Sequence, residues 1–295
     1  MADWTISSIL GWSETYFLSK SIDSPRLAAE ILLSFTLGIK RIDLYLQHDR
    51  PLNKDELKSY KKLIKRRVNR EPVAYIIGKK GFYNSEFSIP PNVLIPRPDT
   101  ETIVESALIF MASANHEEAV PKNVLELGTG SGAIIISLAD MYPEHTYFAT
   151  DLSDDAIKAI KINSDQILEN IKINILKTSW FDAVKAHPFF DIIISNPPYI
   201  KTLDIQALDK EIKDYEPVLA LDGGKDGLES LNKIILNVSD YLVSGGTLLL
   251  EMGCDQKQDI INLVNQCPDL ECPEFKKDLA GHWRVAIIKK RLSRS

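Results

Sequence analysis

Val124-Leu-Glu-Leu-Gly-Thr-Gly-Ser-Gly-Ala133 places a short, mostly apolar strand before alternating glycines and a predicted helix, Ile134–Met141. Glycines at such a strand-to-helix turn let backbone N–H groups approach a ligand closely. An acidic residue about 20 positions further on can hold a ribose hydroxyl, and Asp151 follows Gly130 at this distance, at the end of the next predicted strand. The segment therefore predicts a binding site for an adenosine-type ligand.

The glycines alone do not identify that ligand. Gly128-x-Gly130-x-x-Ala133 also satisfies the dinucleotide pattern, so a nicotinamide cofactor and S-adenosylmethionine both fit it. A tight turn without a ligand is the less favoured interpretation, because the strand, the helix and the acid stand in the expected order.

A second motif, Asn196-Pro-Pro-Tyr199, follows the strand predicted at Asp191–Ser195. Ligands of doubly wound sheets bind outside the carboxyl ends of the strands, so we expect this motif beside the ligand of the glycine loop. The Asn196 side-chain carbonyl, and backbone carbonyls that the prolines hold in a fixed shape, offer acceptors for both hydrogens of a planar NH₂ group. This favours a weak nitrogen nucleophile, held in line with an electrophilic methyl group. A simple turn is less favoured.

The composition is that of an ordinary globular protein. The 295 residues are 44% hydrophobic and 26% charged, which excludes collagen-like, disordered and disulfide-scaffold classes. Apolar runs fall far short of the roughly 18 residues that span a membrane. The start, Met1-Ala-Asp-Trp4, lacks the basic and apolar segments of a secretory signal. We therefore expect a cytoplasmic protein that does not bind membranes.

Cysteine and histidine spacing gives no indication of a metal site. The three cysteines form no C-x-x-C pair, and the five histidines show no H-x₃-H or H-E-x-x-H spacing. We expect buried or incidental thiols, no disulfide framework and no metal.

Hydrophobic periodicity divides the chain into three parts. A helical pattern runs from Trp4 to about Glu71, with Ser24 expected as the N-cap of a helix that Gly38 ends. Residues 72–95 are rich in Gly, Pro, Tyr and Phe and contain short stretches in which apolar and polar residues alternate, which predicts a hairpin linker. Beyond residue 100 strands and helices alternate, so a mostly parallel sheet is expected. The predicted domains are 1–71, 72–95 and 96–295, with strands at 124–127, 146–151, 173–177, 191–195, 247–252 and 285–288.

Charge is distributed unevenly. Residues 1–95 carry 15 Lys and Arg against 10 Asp and Glu, and residues 96–295 carry 20 against 31, giving net charges of +5 and −11. This favours a partner-facing amino-terminal part. Cations are expected on one side of its last helix, where a solvated face is favoured over a nucleic-acid or ribosome contact: Lys58, Lys61, Lys62, Lys65, Arg66, Arg67 and Arg70.

Further segments give the chain a family resemblance. They are Arg26-Leu-Ala-Ala-Glu30, Arg70-Glu-Pro-Val-Ala-Tyr-Ile-Ile-Gly78, Leu94-Ile-Pro-Arg-Pro-Asp-Thr-Glu101 and Glu216-Pro-Val-Leu-Ala-Leu-Asp-Gly-Gly-Lys-Asp-Gly-Leu228. Together with the two motifs, they make nearly the whole chain resemble the peptide chain release factor glutamine methyltransferases, the HemK or PrmC family. The resemblance implies methyl transfer from S-adenosylmethionine to the side-chain amide of the Gln in the Gly-Gly-Gln motif of class I release factors.

The resemblance also implies a fold. It is an α/β, Rossmann-like class I methyltransferase domain with a mostly parallel seven-stranded sheet, preceded by a small helical substrate-docking domain and a β-hairpin linker. S-adenosylmethionine is converted to S-adenosylhomocysteine, no metal is needed, and no stable nucleic-acid binding is expected.

Site roles are carried over by matching motif. In the cofactor site, the glycine loop is implied to hold the methionine part of S-adenosylmethionine: Gly128, Thr129, Gly130, Ser131 and Gly132. Asp151 is implied to bind the ribose and Trp180 to contact the adenine, and Asn196 borders the cofactor. The substrate Gln is assigned to Asn196, Pro197, Pro198, Tyr199 and Arg97, of which Asn196, Pro197 and Tyr199 are the catalytic set.

Two of these residues have alternative interpretations. Trp180 is also explained as a core aromatic residue, and Arg97 as a surface or interdomain ion pair. Arg97, Thr100 and Glu101 lie in the segment that closes over the active site in the family, and Glu216 with Gly223 and Gly224 is expected to form a second wall.

Other functions use the same motifs. An adenine N6-methyltransferase acting on nucleic acid needs the same acceptors, but no length remains for a base-reading domain and the catalytic half is acidic. A ribosomal protein glutamine methyltransferase would use the same pocket and differ in its docking domain. An inactive adaptor would tolerate loss of Asn196, which is present.

Overall fold

The computed structural model describes residues 4–112 and 120–293, so the first three residues of the start used above to argue against a secretory signal lie outside the described residues. The chain forms two compact units. The helical unit comprises Met1–Lys79 and a second segment, Asp209–Tyr215. The sheet unit comprises Lys80–Leu208 and Glu216–Ser295.

The helices and strands are numbered here in chain order. The helices are α1 (Ile6–Ser19), α2 (Pro25–Leu37), α3 (Asp43–Leu46), α4 (Lys54–Val68), α5 (Val73–Ile77), α6 (Glu101–Met111), α7 (Ala133–Met141), α8 (Asp154–Ile167), α9 (Lys210–Lys213), α10 (Glu229–Asn237) and α11 (Lys257–Val264). The strands are β1 (Lys79–Phe82), β2 (Ser85–Ser88), β3 (Asn123–Leu127), β4 (Thr146–Asp151), β5 (Ile173–Lys177), β6 (Phe190–Ser195), β7 (Leu242–Glu251), β8 (Glu274–Lys277) and β9 (Trp283–Lys289).

The helical unit is organised around a buried tyrosine and a buried glutamate. The Tyr60 hydroxyl of α4 donates to Ser13 Oγ of α1 at 3.1 Å and to the Ala29 carbonyl of α2 at 3.2 Å. Glu30, 2% exposed, forms ion pairs with Arg26 and Arg41. These ion pairs offset the cost of burying the Glu30 carboxylate. The Arg26–Glu30 segment of the family resemblance is therefore a structural ion-pair cluster.

Helix α2 begins and ends where the sequence predicts. Pro25 is its first residue and Gly38 ends it in the left-handed conformation, with φ of +66°. Ser24 is the N-cap residue and Pro25 the first helical residue, as predicted. Ser24 itself has φ of +47°, and its side chain makes no capping hydrogen bond.

The cations of α4 do not share one surface, contrary to the sequence prediction. The lysines at 58, 61, 62 and 65 are exposed, whereas Arg67 is 3% exposed and pairs with Glu211 at 2.7 Å. Seven residues make about two helical turns, so Arg67 lies on the buried face with Tyr60. Arg66 pairs with Glu71, and Arg70 donates to the carbonyls of Ser21 and Lys20. The arginines therefore stabilise the helical unit.

The hairpin predicted within 72–95 is formed by β1 and β2. The same range also contains the short helix α5, which ends at Gly78 with φ of +74°. Alternation of apolar residues did not indicate this helix, because five residues are too few to display a helical period.

The sheet unit is built on a seven-stranded sheet, as far as the described residues show, in the order β5-β4-β3-β6-β7-β9-β8. Neighbouring strands from β5 to β7 are parallel, and β9 is antiparallel to both β7 and β8. Chain order reverses between β3 and β6, so the crevice outside their carboxyl ends is the switch point at which such sheets bind ligands.

Both faces of the central strands are buried, which explains their continuous apolar sequences. On one face Leu125, Ile193 and Leu248 pack with α10 and α11 residues. On the other, Val124, Ile192 and Leu249 are also fully or almost fully buried. The predicted α/β class with a mostly parallel sheet is confirmed. Strand β8 was not predicted, because Glu274-Phe-Lys-Lys277 is a charged edge strand without an apolar pattern.

Candidate active site

The glycine loop, defined here as Gly128–Gly132, is positioned by backbone hydrogen bonds to the next strand. Gly128 N and Thr129 N both donate to the Thr150 carbonyl, at 2.8 and 3.0 Å. Gly128, Gly130 and Gly132 have φ of +69°, +55° and +81°. Side-chain residues rarely adopt this left-handed region, so the three glycines are required by the shape of the turn.

A buried glutamate lies beneath the loop. Glu126 Oε2 accepts from the Thr129 hydroxyl at 2.6 Å and from Ile135 N, in the first turn of α7, at 3.2 Å. Burial raises the pKa of Glu126 to about 8, although both of these hydrogen bonds oppose the rise. Glu126 thus joins strand, loop and helix through one side chain.

Asp151, at the end of β4, faces the same loop. Its Oδ2 accepts from Gly130 N at 2.8 Å and its Oδ1 from Ser153 N at 2.8 Å. Burial raises the pKa of Asp151, against the effect of these hydrogen bonds. Each carboxylate oxygen has a second lone pair, so the side chain still offers acceptors to a ligand.

Trp180 is partly buried in the apolar core of the sheet unit and also borders the cavity beside the glycine loop. A Cβ added at Gly128 would lie 3.4 Å from the Trp180 ring. The indole and the glycine loop therefore form adjoining walls.

The Asn-Pro-Pro-Tyr loop, Asn196–Tyr199, begins next to the glycine loop. Leu127 of β3 and Ser195 of β6 are partners in the parallel pairing, and Ser195 Oγ donates to the Leu127 carbonyl at 2.8 Å. The two loops thus leave adjacent strand ends at the switch point, as the sequence predicts. The Asn196 side chain donates through Nδ2 to Thr100 Oγ1 at 3.2 Å.

Residues distant in sequence hold the backbone of this loop. Gln256 Nε2 donates to the carbonyls of Tyr199, at 3.1 Å, and Gly227, at 3.0 Å. A Cβ added at Gly223 would lie 2.8 Å from Tyr199 Cα and 2.9 Å from the Pro198 carbonyl oxygen. Gly223 is therefore required by the close approach of two backbone segments.

The opposite wall is fixed by an ion pair. Arg97 pairs with Glu216, whose side chain is 1% exposed, and Ile95 N donates to the other Glu216 oxygen at 3.4 Å. Burial raises the pKa of Glu216, and Arg97 opposes that rise. Glu101 instead accepts from Tyr83 N in the β1–β2 turn at 3.0 Å.

These elements enclose a cavity of about 320 Å³ within the sheet unit. This volume lies in the range of small-molecule sites. Its lining includes most of the residues predicted from the sequence: Arg97, Thr100, Gly128, Thr129, Gly130, Ser131, Asp151, Trp180, Asn196 and Pro198. Gly132, Pro197 and Tyr199, although described, do not line it. Gly132 packs against α8, since a Cβ there would lie 2.7 Å from Ile160.

Three polar residues around Tyr199 were missed by the sequence analysis. The Tyr199 hydroxyl donates to Glu251 Oε1 at 3.3 Å, Arg284 Nη1 lies 3.5 Å from the Tyr199 oxygen, and Gln256 holds the Tyr199 carbonyl. Each is single in its segment and belongs to no motif. A polar residue at the end of the long apolar strand Thr247–Glu251 is the signal that would have identified Glu251.

The described part of the chain contains neither a candidate metal site nor a helix that could span a membrane. Within residues 4–112 and 120–293, no cluster of three or more His, Cys, Asp or Glu side chains is arranged to hold a metal ion. Among the same residues, every helix is too short or too polar to cross a membrane.

A sheet of this order, with a glycine loop and an Asn-Pro-Pro-Tyr loop at its switch point, defines a Rossmann-like methyltransferase of class I. Residues 8–78 match the family model described as PrmC N-terminal domain, and residues 105–224 match the methyltransferase small domain. A release factor glutamine methyltransferase of Geobacter sulfurreducens is 38% identical over 91% of either chain. That of Leptospira interrogans is 37% identical over 96% of this chain and 98% of its own. The chain belongs to the release factor glutamine methyltransferase family.

Solved structures agree on the fold. A methyltransferase from Pyrococcus furiosus matches 78% of this chain and 98% of its own, with 20% identity and a TM-score of 0.53. A 16S rRNA N2 G1207 methyltransferase from T. thermophilus, solved with AdoMet and guanosine, matches 72% of this chain and 50% of its own, with 17% identity and a TM-score of 0.50.

Proposed function

We propose that this protein transfers a methyl group from S-adenosylmethionine to the side-chain amide nitrogen of the Gln in the Gly-Gly-Gln motif of class I release factors. The observation that carries the proposal is the Asn196 carboxamide. It borders the cavity beside the glycine loop, with its NH₂ group turned to Thr100. Its carbonyl oxygen accepts no hydrogen bond from the described residues and is left as an acceptor for an amide NH₂. The names of relatives that match over nearly the whole chain support the same substrate.

The cofactor residues fit S-adenosylmethionine. Gly130 borders the cavity, and a Cβ built on it would meet no atom of the described residues within 4 Å apart from its chain neighbours, so its backbone faces open space. The glycine loop would hold the methionine part, Asp151 would accept from the ribose hydroxyls, and Trp180 would contact the adenine. S-adenosylmethionine, when bound, supplies an electrophilic methyl group.

The substrate amide would be positioned by acceptors. Asn196 Oδ1 and the Pro197 carbonyl would each accept one hydrogen of the Gln NH₂ group, which fixes the plane of the amide. An amide nitrogen is a weak nucleophile because its lone pair is delocalised, so orientation supplies much of the rate. The amide proton lost after transfer would leave to solvent. Arg97 and Pro198 would border the substrate side chain, and Tyr199 would support the loop from beneath.

Docking would depend on the helical unit. We propose that this unit recognises the release factor, that the reaction takes place in the cytoplasm, and that nucleic acid is not bound stably. The net charge of −11 over residues 96–295 opposes phosphate binding by the catalytic part.

The test is methyl transfer from labelled S-adenosylmethionine to four substrates. They are a class I release factor, its Gln-to-Ala variant, a ribosomal protein fraction and DNA, each with wild-type enzyme and Asn196→Ala. Label on the intact factor alone, lost with either variant, would support the proposal. Label on ribosomal protein or DNA instead would overturn it, and absence of label from every substrate would favour an inactive adaptor.

A further inference from the structure

Glu251 is a buried carboxylate beside the substrate half of the site, and the mechanism above does not use it. It is the last residue of β7 and is 2% exposed. Oε1 accepts from the Tyr199 hydroxyl at 3.3 Å. Oε2 is buried and has no partner in hydrogen-bonding geometry among the described residues. A buried carboxylate oxygen without a donor is costly, so this position calls for a functional explanation.

The charged and titratable groups around Glu251 come from several elements. Burial has the largest effect on the pKa of Glu251. The Thr100 hydroxyl, Arg284 of β9 and Tyr199 lower this pKa, in decreasing order, and Asp99 of the turn before α6 raises it. Burial outweighs them and raises this pKa to about 7. Arg284 is itself held by Asp278 at 3.0 Å and lies 3.3 Å from Asp99.

Thr100 connects this carboxylate to Asn196. Its Oγ1 accepts from Asn196 Nδ2 at 3.2 Å. The Thr100 hydroxyl also lies close enough to Glu251 to lower the pKa of that carboxyl, and its proton is free to turn toward Glu251 Oε2, which has no partner among the described residues. An ionised carboxylate can only accept, so it fixes the direction of both hydroxyls that face it. The Thr100 lone pair is then left for the Asn196 NH₂ group, and Asn196 Oδ1 remains for the substrate.

We propose that Glu251, acting through Thr100, is the positioning residue that sets the orientation of the Asn196 carboxamide. When Glu251 is ionised, Asn196 Nδ2 donates to Thr100 Oγ1 and the Thr100 hydroxyl donates to the Glu251 carboxylate. The protonated form donates to Thr100, which frees the Thr100 proton to face Asn196 Oδ1. A reversed Asn196 carboxamide would turn its NH₂ group toward the substrate NH₂ group. Both groups are donors, so no hydrogen bond would form between them.

This inference rests on the proposed function, and it predicts a pH dependence. We expect kcat/KM for the release factor to rise with pH through the neutral range, as Glu251 ionises. Glu251→Gln should lower kcat/KM roughly 10- to 100-fold and remove the rise, because misplacement of a reacting group by a small distance has effects of this size. Thr100→Val should behave in the same way, and Thr100→Ser, which keeps the hydroxyl, should retain activity within about threefold.

The experiment uses the full chain and includes a matched control. Glu105→Gln makes the same chemical change on the exposed surface of α6 and should leave the pH profile unaltered. Calorimetric affinity for S-adenosylhomocysteine shows that each variant is folded, and it should stay within about twofold of wild type. Full activity with an unchanged pH profile in either Glu251→Gln or Thr100→Val would overturn the inference.

A second readout does not depend on the substrate. The side-chain ¹⁵N–H signal of Asn196, assigned by its loss in Asn196→Asp, should shift with pH in the wild-type enzyme and stay constant in Glu251→Gln. A signal that does not respond to pH, or is unmoved by Thr100→Val, would also overturn it. If the expected shift occurs and no release factor is methylated at any pH, the proposed function fails while the positioning role stands.

Discussion

The glycine loop and the Asn-Pro-Pro-Tyr loop leave adjacent strand ends of one sheet, but they are held in different ways. The glycine loop is held by neighbours in its own βαβ unit, mainly the Thr150 carbonyl and the Glu126 side chain. The Asn-Pro-Pro-Tyr loop is held by Thr100 and Gln256, 96 and 57 residues away from their partners in sequence. Because its hydrogen-bond partners are close in sequence, the glycine loop can be recognised as a motif. The position of the Asn-Pro-Pro-Tyr loop depends on the whole fold, because its partners are distant in sequence.

Asn196→Ala should have the largest effect. It removes the acceptor for the substrate amide, so we expect kcat to fall about 10²- to 10³-fold, a range typical of the loss of one preorganised hydrogen-bonding group. Affinity for S-adenosylhomocysteine should change less than turnover, because the glycine loop, Asp151 and Trp180 are intact and Asn196 only borders the cofactor side of the cavity. Steady-state kinetics and calorimetry measure the two quantities. Asn237→Ala, on the exposed surface of α10, is the control. A variant that lost cofactor affinity and turnover together would remove the distinction between the two halves.

Gly223→Ala should damage the substrate half without touching the cofactor half. The added Cβ would lie 2.8 Å from Tyr199 Cα, so the backbone of the loop must move. We expect kcat/KM for the release factor to fall roughly 10- to 100-fold. Gly11→Ala makes the same change where, apart from its chain neighbours and its own helix backbone, no atom of the described residues lies within 4 Å of the new Cβ, and should retain full activity. Equal activity of the two variants would contradict the requirement for a glycine at 223.

Gly130→Ala tests the cofactor half. Its φ of +55° is strained for alanine, and the Cβ would enter the cavity. We expect the Kd for S-adenosylhomocysteine to rise about tenfold by calorimetry, since strain of this kind costs on the order of 1–3 kcal/mol. Gly78→Ala carries the same type of strain, at φ of +74°, outside the cavity. It should lose stability and keep cofactor affinity. Loss of affinity in both variants would point to a general effect of unfolding.

Glu126→Gln should affect stability more than turnover. The folded protein keeps the Glu126 proton up to about pH 8, whereas an unfolded chain releases it near the ordinary value of 4.5. The free energy of unfolding therefore falls as pH rises through this window, by about 1.4 kcal/mol for each unit between the two pKa values, a few kcal/mol in total. Gln cannot ionise, so urea unfolding at pH 5, 7 and 9 should show a smaller decline in the variant. Identical declines would show that Glu126 is not the group that titrates.

Replacement of the exposed lysines of α4 should have the smallest effect. With Lys58, Lys61, Lys62 and Lys65 changed together to Gln, we expect kcat/KM for the release factor to change less than about twofold, since isolated surface charges contribute little. Kinetics at low and high salt measure this. A larger fall that disappears at high salt would instead identify this face as a docking surface.

The sequence could predict features that depend on a periodic pattern or on residues close together in the chain. Strands β4 and β5 match their predicted bounds because short segments rich in apolar and β-branched residues stand between polar and turn residues. Ten residues of the predicted site line one cavity, since motifs at the carboxyl ends of parallel strands must meet at one edge of the sheet. Arg67 was misassigned, because a charge in a basic run does not reveal a distant partner such as Glu211.

By itself, the sequence determined the sheet class, the switch point and the residues at its two strand ends, because glycine, proline and the apolar period constrain the local backbone directly. Only the tertiary structure decided which way the Asn196 carboxamide points and what Tyr199 touches. Those choices depend on Thr100 and Glu251, which the packing of α6 and β7 brings to the loop. Hydrogen-bond direction is a property of the assembled network, and no single segment of the chain contains it.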